Sequence, residues 1–113
     1  MKTPKYLGLI PPMVTPLRDR DTLDVAGLEV LVEHILGGGV QGLFLLGTTG
    51  EGPSINYGLR KELIERTCRL VNGRAHVLVG ITDTVFQESL NVARWSADAG
   101  ADALVVAPPY YFP

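Results

Sequence analysis

Leu43-Phe44-Leu45-Leu46-Gly47-Thr48-Thr49-Gly50-Glu51 joins an all-apolar run to a turn rich in glycine and threonine, and the architecture of the chain follows from it. Four consecutive apolar residues closed by glycine fit a short strand buried on both faces. The residues after the turn return to helical spacing, so the turn lies at a strand's carboxyl end. That is where α/β folds place their chemistry.

Upstream, Leu9-Ile10 and Met13-Val14 flank Pro11 and Pro12 and read as a short first strand roughened by the prolines. Asp24 is placed to cap a helix whose apolar residues Val25, Leu28, Leu31, Val32, Ile35 and Leu36 keep helical spacing, and Gly37-Gly38-Gly39 ends it. The second strand covers 42–46. A second helix runs from about Tyr57 to Val71, with Leu59, Leu63, Ile64, Thr67, Leu70 and Val71 inward, and stops at Asn72-Gly73. A third strand is expected over 76–81. Thr84 and Gln87 have capping-box spacing for a helix that reaches Ala99 and closes at Gly100. The last strand, 103–107, leads into Pro108-Pro109-Tyr110-Tyr111.

This β-α-β-α-β-α-β order, with strands apolar on both faces, implies a parallel sheet with right-handed helical crossovers. Two architectures share the pattern. An open, doubly wound sheet suits 113 residues. A (β/α)8 barrel takes about 250 residues and makes the chain its first half.

Composition narrows the function. Lys and Arg number 10 against 12 Asp and Glu, for a formal net charge of -2, and they are scattered, which gives no footing for nucleic acid or an anionic membrane. No apolar run approaches the ~20 residues that span a bilayer, and Met1 to Gly8 lack a signal peptide's apolar core. The single cysteine, Cys68, sits on or beside a buried helical stripe and reads as a small core residue in a reducing, cytoplasmic setting. His34 and His76 have no second His or Cys at ligand spacing, so no metal site is expected.

The turn at 47–52 has two readings. It is either a tight βα connection or an anion cradle built from N–H groups and the Thr48 and Thr49 hydroxyls. A phosphate loop needs Gly-Lys-Ser/Thr, absent here, and Glu51 repels a dianion, so a small carboxylate is the fitting ligand. Tyr110 and Tyr111, at another strand's carboxyl end, either pack or relay a proton. Asp83 either faces the same rim or caps locally. Trp95 and Phe86 read as packing residues of the third helix.

Four stretches together resemble the dihydrodipicolinate synthase and N-acetylneuraminate lyase family of pyruvate-dependent class I aldolases. They are Pro12-Met13-Val14-Thr15-Pro16-Leu17, the run from Gly42 to Glu51, Val77-Leu78-Val79-Gly80-Ile81, and Val105-Val106-Ala107-Pro108-Pro109-Tyr110-Tyr111. The resemblance implies that residues 1–113 are the amino-terminal part of one barrel domain, with its first four strands and three helices. It implies a carbon–carbon or carbon–oxygen lyase in which a lysine forms a Schiff base with pyruvate or another 2-oxo acid and an aldehyde is the second substrate. No cofactor is implied. Thr48 and Thr49 match the turn that holds the pyruvate carboxylate, Thr48 also joins a proton relay, and Tyr111 matches a relay tyrosine that a neighbouring subunit inserts. Tyr110 is the alternative if the register slips by one. A homo-oligomer, a dimer of dimers in the family, is implied as well.

The lysines here are Lys2, Lys5 and Lys61. Two precede the first strand and one lies in the second helix, so none is expected at the rim, and the chain is expected to be inert alone. Leu59, Gly52-Pro53-Ser54 and Phe112-Pro113 depart from the usual dihydrodipicolinate synthase pattern and leave the aldehyde open, neuraminate or 2-keto-3-deoxy sugar acid cleavage being the alternatives. Half a barrel leaves apolar strand edges, so poor solubility or obligate association is expected. The competing class is a small α/β module that binds a carboxylate, or scaffolds a partner, without catalysis.

Overall fold

The structure, a computed structural model, describes residues 6–108. Its elements are β1 (Leu17–Asp19), β2 (Thr22–Leu23), α1 (Val25–Gly37), β3 (Gly42–Leu45), α2 (Tyr57–Val71), β4 (His76–Gly80), α3 (Phe86–Ala99) and β5 (Ala103–Val105), with a 3-10 turn at Gly52–Ser54. β3, β4 and β5 form a parallel sheet in that order, with Leu43 beside Val77, Leu45 beside Val79 and Val79 beside Leu104.

The segment expected as a first strand lies parallel to β3 but makes only one bridge, Pro12 to Phe44. Pro11 has no N–H to donate, so the ladder is incomplete: Gly42 N donates to Leu9 O at 3.3 Å, Phe44 N to Pro11 O at 3.0 Å and Met13 N to Phe44 O at 2.8 Å. The spatial order is therefore this segment, then β3, β4 and β5. Each new strand joins the same side of the sheet. A doubly wound sheet must reverse direction at a switch point, and the described strands contain no reversal.

α1, α2 and α3 pack side by side over one face. Leu43, Leu45, Val77 and Val79 point into them and are buried together with Leu28, Val32, Leu63, Ile64 and Val92. Phe44 and Leu78, on the opposite face, are only half-buried. Leu104 shares the helix-side face with Val79, yet it is 45% exposed.

Helix ends follow local chemistry. Asp24 accepts from Gly27 N at 2.9 Å, Asn56 accepts from Leu59 N at 2.8 Å, and Asn72 closes α2 in the left-handed conformation. The expected Thr84–Gln87 capping box does not form. α3 begins one residue late for it, with Val85 as the N-cap, and Asp83 Oδ1 instead accepts from Val85 N at 2.8 Å. Gln87 turns to Asn91. Phe86 is not a packing residue either, since the first position of α3 leaves it 77% exposed, whereas Trp95 packs against the core. The β1–β2 hairpin has no counterpart in the hydrophobic pattern. It turns through Arg20-Asp21, where Asp21 N donates to Asp19 Oδ1 at 3.0 Å, and buries only Leu23.

Candidate active site

Parallel strands put all their carboxyl ends on one rim. There the described residues gather Thr15, the turn 47–51, Leu46, Thr82, Asp83 and Ala107. The turn is tightly determined. Leu46 has φ 59 and Glu51 φ 57, left-handed values uncommon for residues with side chains, and Leu46 is buried. Its carbonyl oxygen lies against Gly52 and Gly80, where a Cβ would collide with it. Glu51 N donates to Thr48 O at 3.0 Å and Gly52 N to Gly47 O at 3.1 Å. Those two amides are committed within the turn, whereas the hydroxyls of Thr48 and Thr49, both exposed, have no partner among the described residues. The 3-10 turn also separates 47–51 from α2, whose first amides are capped by Asn56.

Thr15 secures the turn from the neighbouring segment: its buried hydroxyl donates to Gly50 O at 2.6 Å. Thr15→Val keeps the volume and leaves the Gly50 carbonyl without this donor. We expect a loss of about 1–2 kcal/mol in chemical denaturation, with faster amide exchange over 47–51. Unchanged stability and exchange would show that the bond is not what holds the turn.

On the other side, Asp83 is both a local cap and a rim residue. Its Oδ2 accepts from Tyr57 Oη at 2.7 Å and lies 3.5 Å from an Arg60 guanidinium nitrogen. Arg60 Nε donates to Ile55 O at 2.7 Å, and its guanidinium lies 4.7 Å from the centre of the Tyr57 ring. The hydrogen bond to Asp83, with burial second, raises the Tyr57 phenol above its usual value, so Tyr57 is a held donor. Thr82 Oγ1 accepts from Ala107 N at 2.9 Å and joins the third βα loop to the end of β5. Tyr110 and Tyr111 lie outside the described residues, and so do Lys2 and Lys5.

The remaining candidates lie elsewhere. Lys61 is half-exposed on α2 and 3.9 Å from Glu65. It lines a groove of ≈ 610 Å³ between α2 and α3 with Glu65, Arg69, Trp95 and Asp98. That groove is on the helical exterior, and its charges alternate in sign, so it offers no match to a small anion. His76 is 3.7 Å from Asp102 and meets the Tyr6 ring edge-on, at the start of β4 and away from the rim. Burial raises the Cys68 thiol to about 11, which leaves it protonated and a poor nucleophile near neutral pH.

Residues 5–113 match the dihydrodipicolinate synthetase family. The chain belongs to that family. A 4-hydroxy-tetrahydrodipicolinate synthase of Methanocaldococcus jannaschii is 33% identical over 106 residues, which is 94% of this chain and 36% of that enzyme. The solved dihydrodipicolinate synthase of Bacteroides thetaiotaomicron is 57% identical with a TM-score of 0.93, over 100% of this chain and 38% of that one. YagE of Escherichia coli K12, a family member solved in complex with pyruvate, is 34% identical with a TM-score of 0.90, over 95% of this chain and 36% of that one. The chain thus spans a little over a third of the length of these relatives. The family's members include lyases, and this chain supplies an α/β part of such a fold.

Arg60 and Tyr57 were not among the residues expected at the site. A signal for Arg60 exists: it shares a helical stripe with Ile64, Thr67 and Val71, all buried, and carries the one charge on that stripe.

Proposed function

We propose that residues 1–113 form the amino-terminal half of a (β/α)8 barrel and contribute the carboxylate-holding side of a class I aldolase site. The observation that carries this reading is the exposed pair of unpartnered hydroxyls, Thr48 and Thr49, on a turn held rigid by Thr15, Gly52 and Gly80. Neutral donors fixed before the ligand arrives suit one carboxylate of a 2-oxo acid, with no reorganisation needed on binding. Glu51 beside them disfavours a dianion. The unreversed strand order weighs for a barrel and against the small doubly wound module, which needs a switch point at its ligand.

In this reaction a lysine amine from polypeptide outside these residues adds to the ketone of pyruvate and expels water. The resulting imine accepts the electron pair left when the adjacent carbon loses a proton or when its bond to the aldehyde carbon breaks; in the forming direction the enamine so made gives that pair to the aldehyde carbon, whose oxygen takes up a proton. Thr48 and Thr49 hold the carboxylate, and Thr48 passes a proton to Tyr111 or, in the shifted register, Tyr110. Neither metal nor cofactor takes part. The same reading makes the working protein a cytoplasmic homo-oligomer with Tyr111 reaching across an interface. Leu104 and Val106, 45% and 70% exposed at the last strand, are the edge to be covered by the rest of the barrel.

The test joins residues 1–113 to the remainder of the Bacteroides thetaiotaomicron enzyme. With pyruvate and borohydride, mass spectrometry should find one reduced adduct, on a lysine outside residues 1–113, and none when the 113-residue chain is treated alone. An adduct on Lys2, Lys5 or Lys61, or a joined protein that is never labelled, overturns the reading.

A further inference from the structure

We propose that Arg60, Tyr57 and Asp83 act as a positioning unit that fastens the hydroxyl-bearing turn to the next βα loop and so sets the affinity for the 2-oxo acid carboxylate. This rests on the aldolase reading above. The side chains of Arg60 and Asp83 are each 8% exposed. A charged pair that deep is poorly explained by stability, because apolar residues of similar size usually serve as well or better there. What the pair does achieve is connection. Arg60 Nε grips Ile55 O directly after the 3-10 turn, at the downstream end of the segment carrying Thr48 and Thr49. The same guanidinium meets Asp83, which accepts the Tyr57 hydroxyl from the start of α2 on Oδ2 and Val85 N from the start of α3 on Oδ1. One carboxylate therefore ties the β3–α2 connection to the β4–α3 connection.

Thr15 holds the middle of the turn and Arg60 holds its exit. With the exit released, the turn stays folded but its hydroxyls wander, and displacements on the order of 1 Å cost up to about a hundredfold at a preorganised site. Lysine at position 60 keeps the charge, but its single ammonium lacks the planar fork that meets the Ile55 carbonyl and the Asp83 carboxylate together.

The experiment uses the joined protein and its Asp83→Asn and Arg60→Lys variants. Each variant should raise KM for pyruvate about tenfold and lower kcat as well, because Thr48 moves with the turn, while the aldehyde KM changes less than about twofold. Deuterium uptake should increase together over 47–56 and 82–86 and stay unchanged in α1 and β4. A pyruvate KM within twofold of the parent in both variants, or uptake rising throughout the protein, overturns the proposal. If the parent protein does not turn over pyruvate, the aldolase reading fails, and the paired uptake change alone decides whether the two loops are fastened through Asp83.

Discussion

Replacing Thr48 with valine lowers kcat/KM of the joined protein about 10²-fold or more, with most of the loss in kcat, whereas Thr48→Ser restores activity to within about tenfold of the parent. The difference between the two variants isolates the hydroxyl, since valine matches threonine in shape and serine retains the oxygen. Thr49→Val behaves differently. If Thr49 only holds the carboxylate, its loss removes a hydrogen bond to a charged group, about 1.5–3 kcal/mol, which appears as a KM for pyruvate raised about tenfold or more with kcat nearly intact. The effect of Thr48 exceeds that of Thr49 because Thr48 is assigned both the carboxylate and the proton. Steady-state kinetics with pyruvate and an aldehyde decide this: Thr48→Val activity within threefold of the parent removes Thr48 from the mechanism.

The long elements were legible because their patterns are redundant. α2 is bounded by asparagines and carries its buried residues at helical spacing, so Tyr57–Val71 agrees at both ends. β3 and β4 each lose only one residue at the carboxyl end, Leu46 and Ile81, where the chain departs into the rim. The first strand was half legible. Met13 is as buried as a central-strand residue should be, but Pro11 interrupts the ladder and a single bridge remains. The hairpin at 17–23 was not legible, since strands of three and two residues around Arg20-Asp21 carry no usable alternation. At the site, the position of Thr48 and Thr49 followed from the strand before them, because a parallel strand's carboxyl end fixes the rim. Which polar atoms of the turn are left without a partner did not follow. The internal bonds of Glu51 N and Gly52 N, and the bond of Thr15 to Gly50, are made by backbone geometry and by a neighbour 35 residues away in sequence. Asp83 shows the same limit, for its partners Tyr57 and Arg60 belong to another helix.

The rigidity of the turn depends on one carbonyl, and a methyl group tests it. Gly52→Ala places a Cβ against the Leu46 oxygen, and Gly80→Ala places one 2.6 Å from the same atom. Both neighbours are backbone, which cannot swing aside as a side chain would. Relief requires Leu46 to leave its left-handed conformation, and that rotates the peptide leading into Gly47 and carries Thr48 with it. Overpacking of this kind costs about 3 kcal/mol, the upper part of the usual range, since the clash has two walls and Leu46 is buried. Gly37→Ala is the control. Gly37 is the last residue of α1, an added methyl there would meet nothing within 4 Å, and alanine stabilises by about 0.5–1 kcal/mol at such a position. Chemical denaturation of the joined protein should therefore move in opposite directions for Gly52→Ala and Gly37→Ala, with activity lost only in the former. A Gly52→Ala protein as stable and active as the parent would mean that the Leu46 carbonyl is free to turn and that the hydroxyl pair is not held in advance.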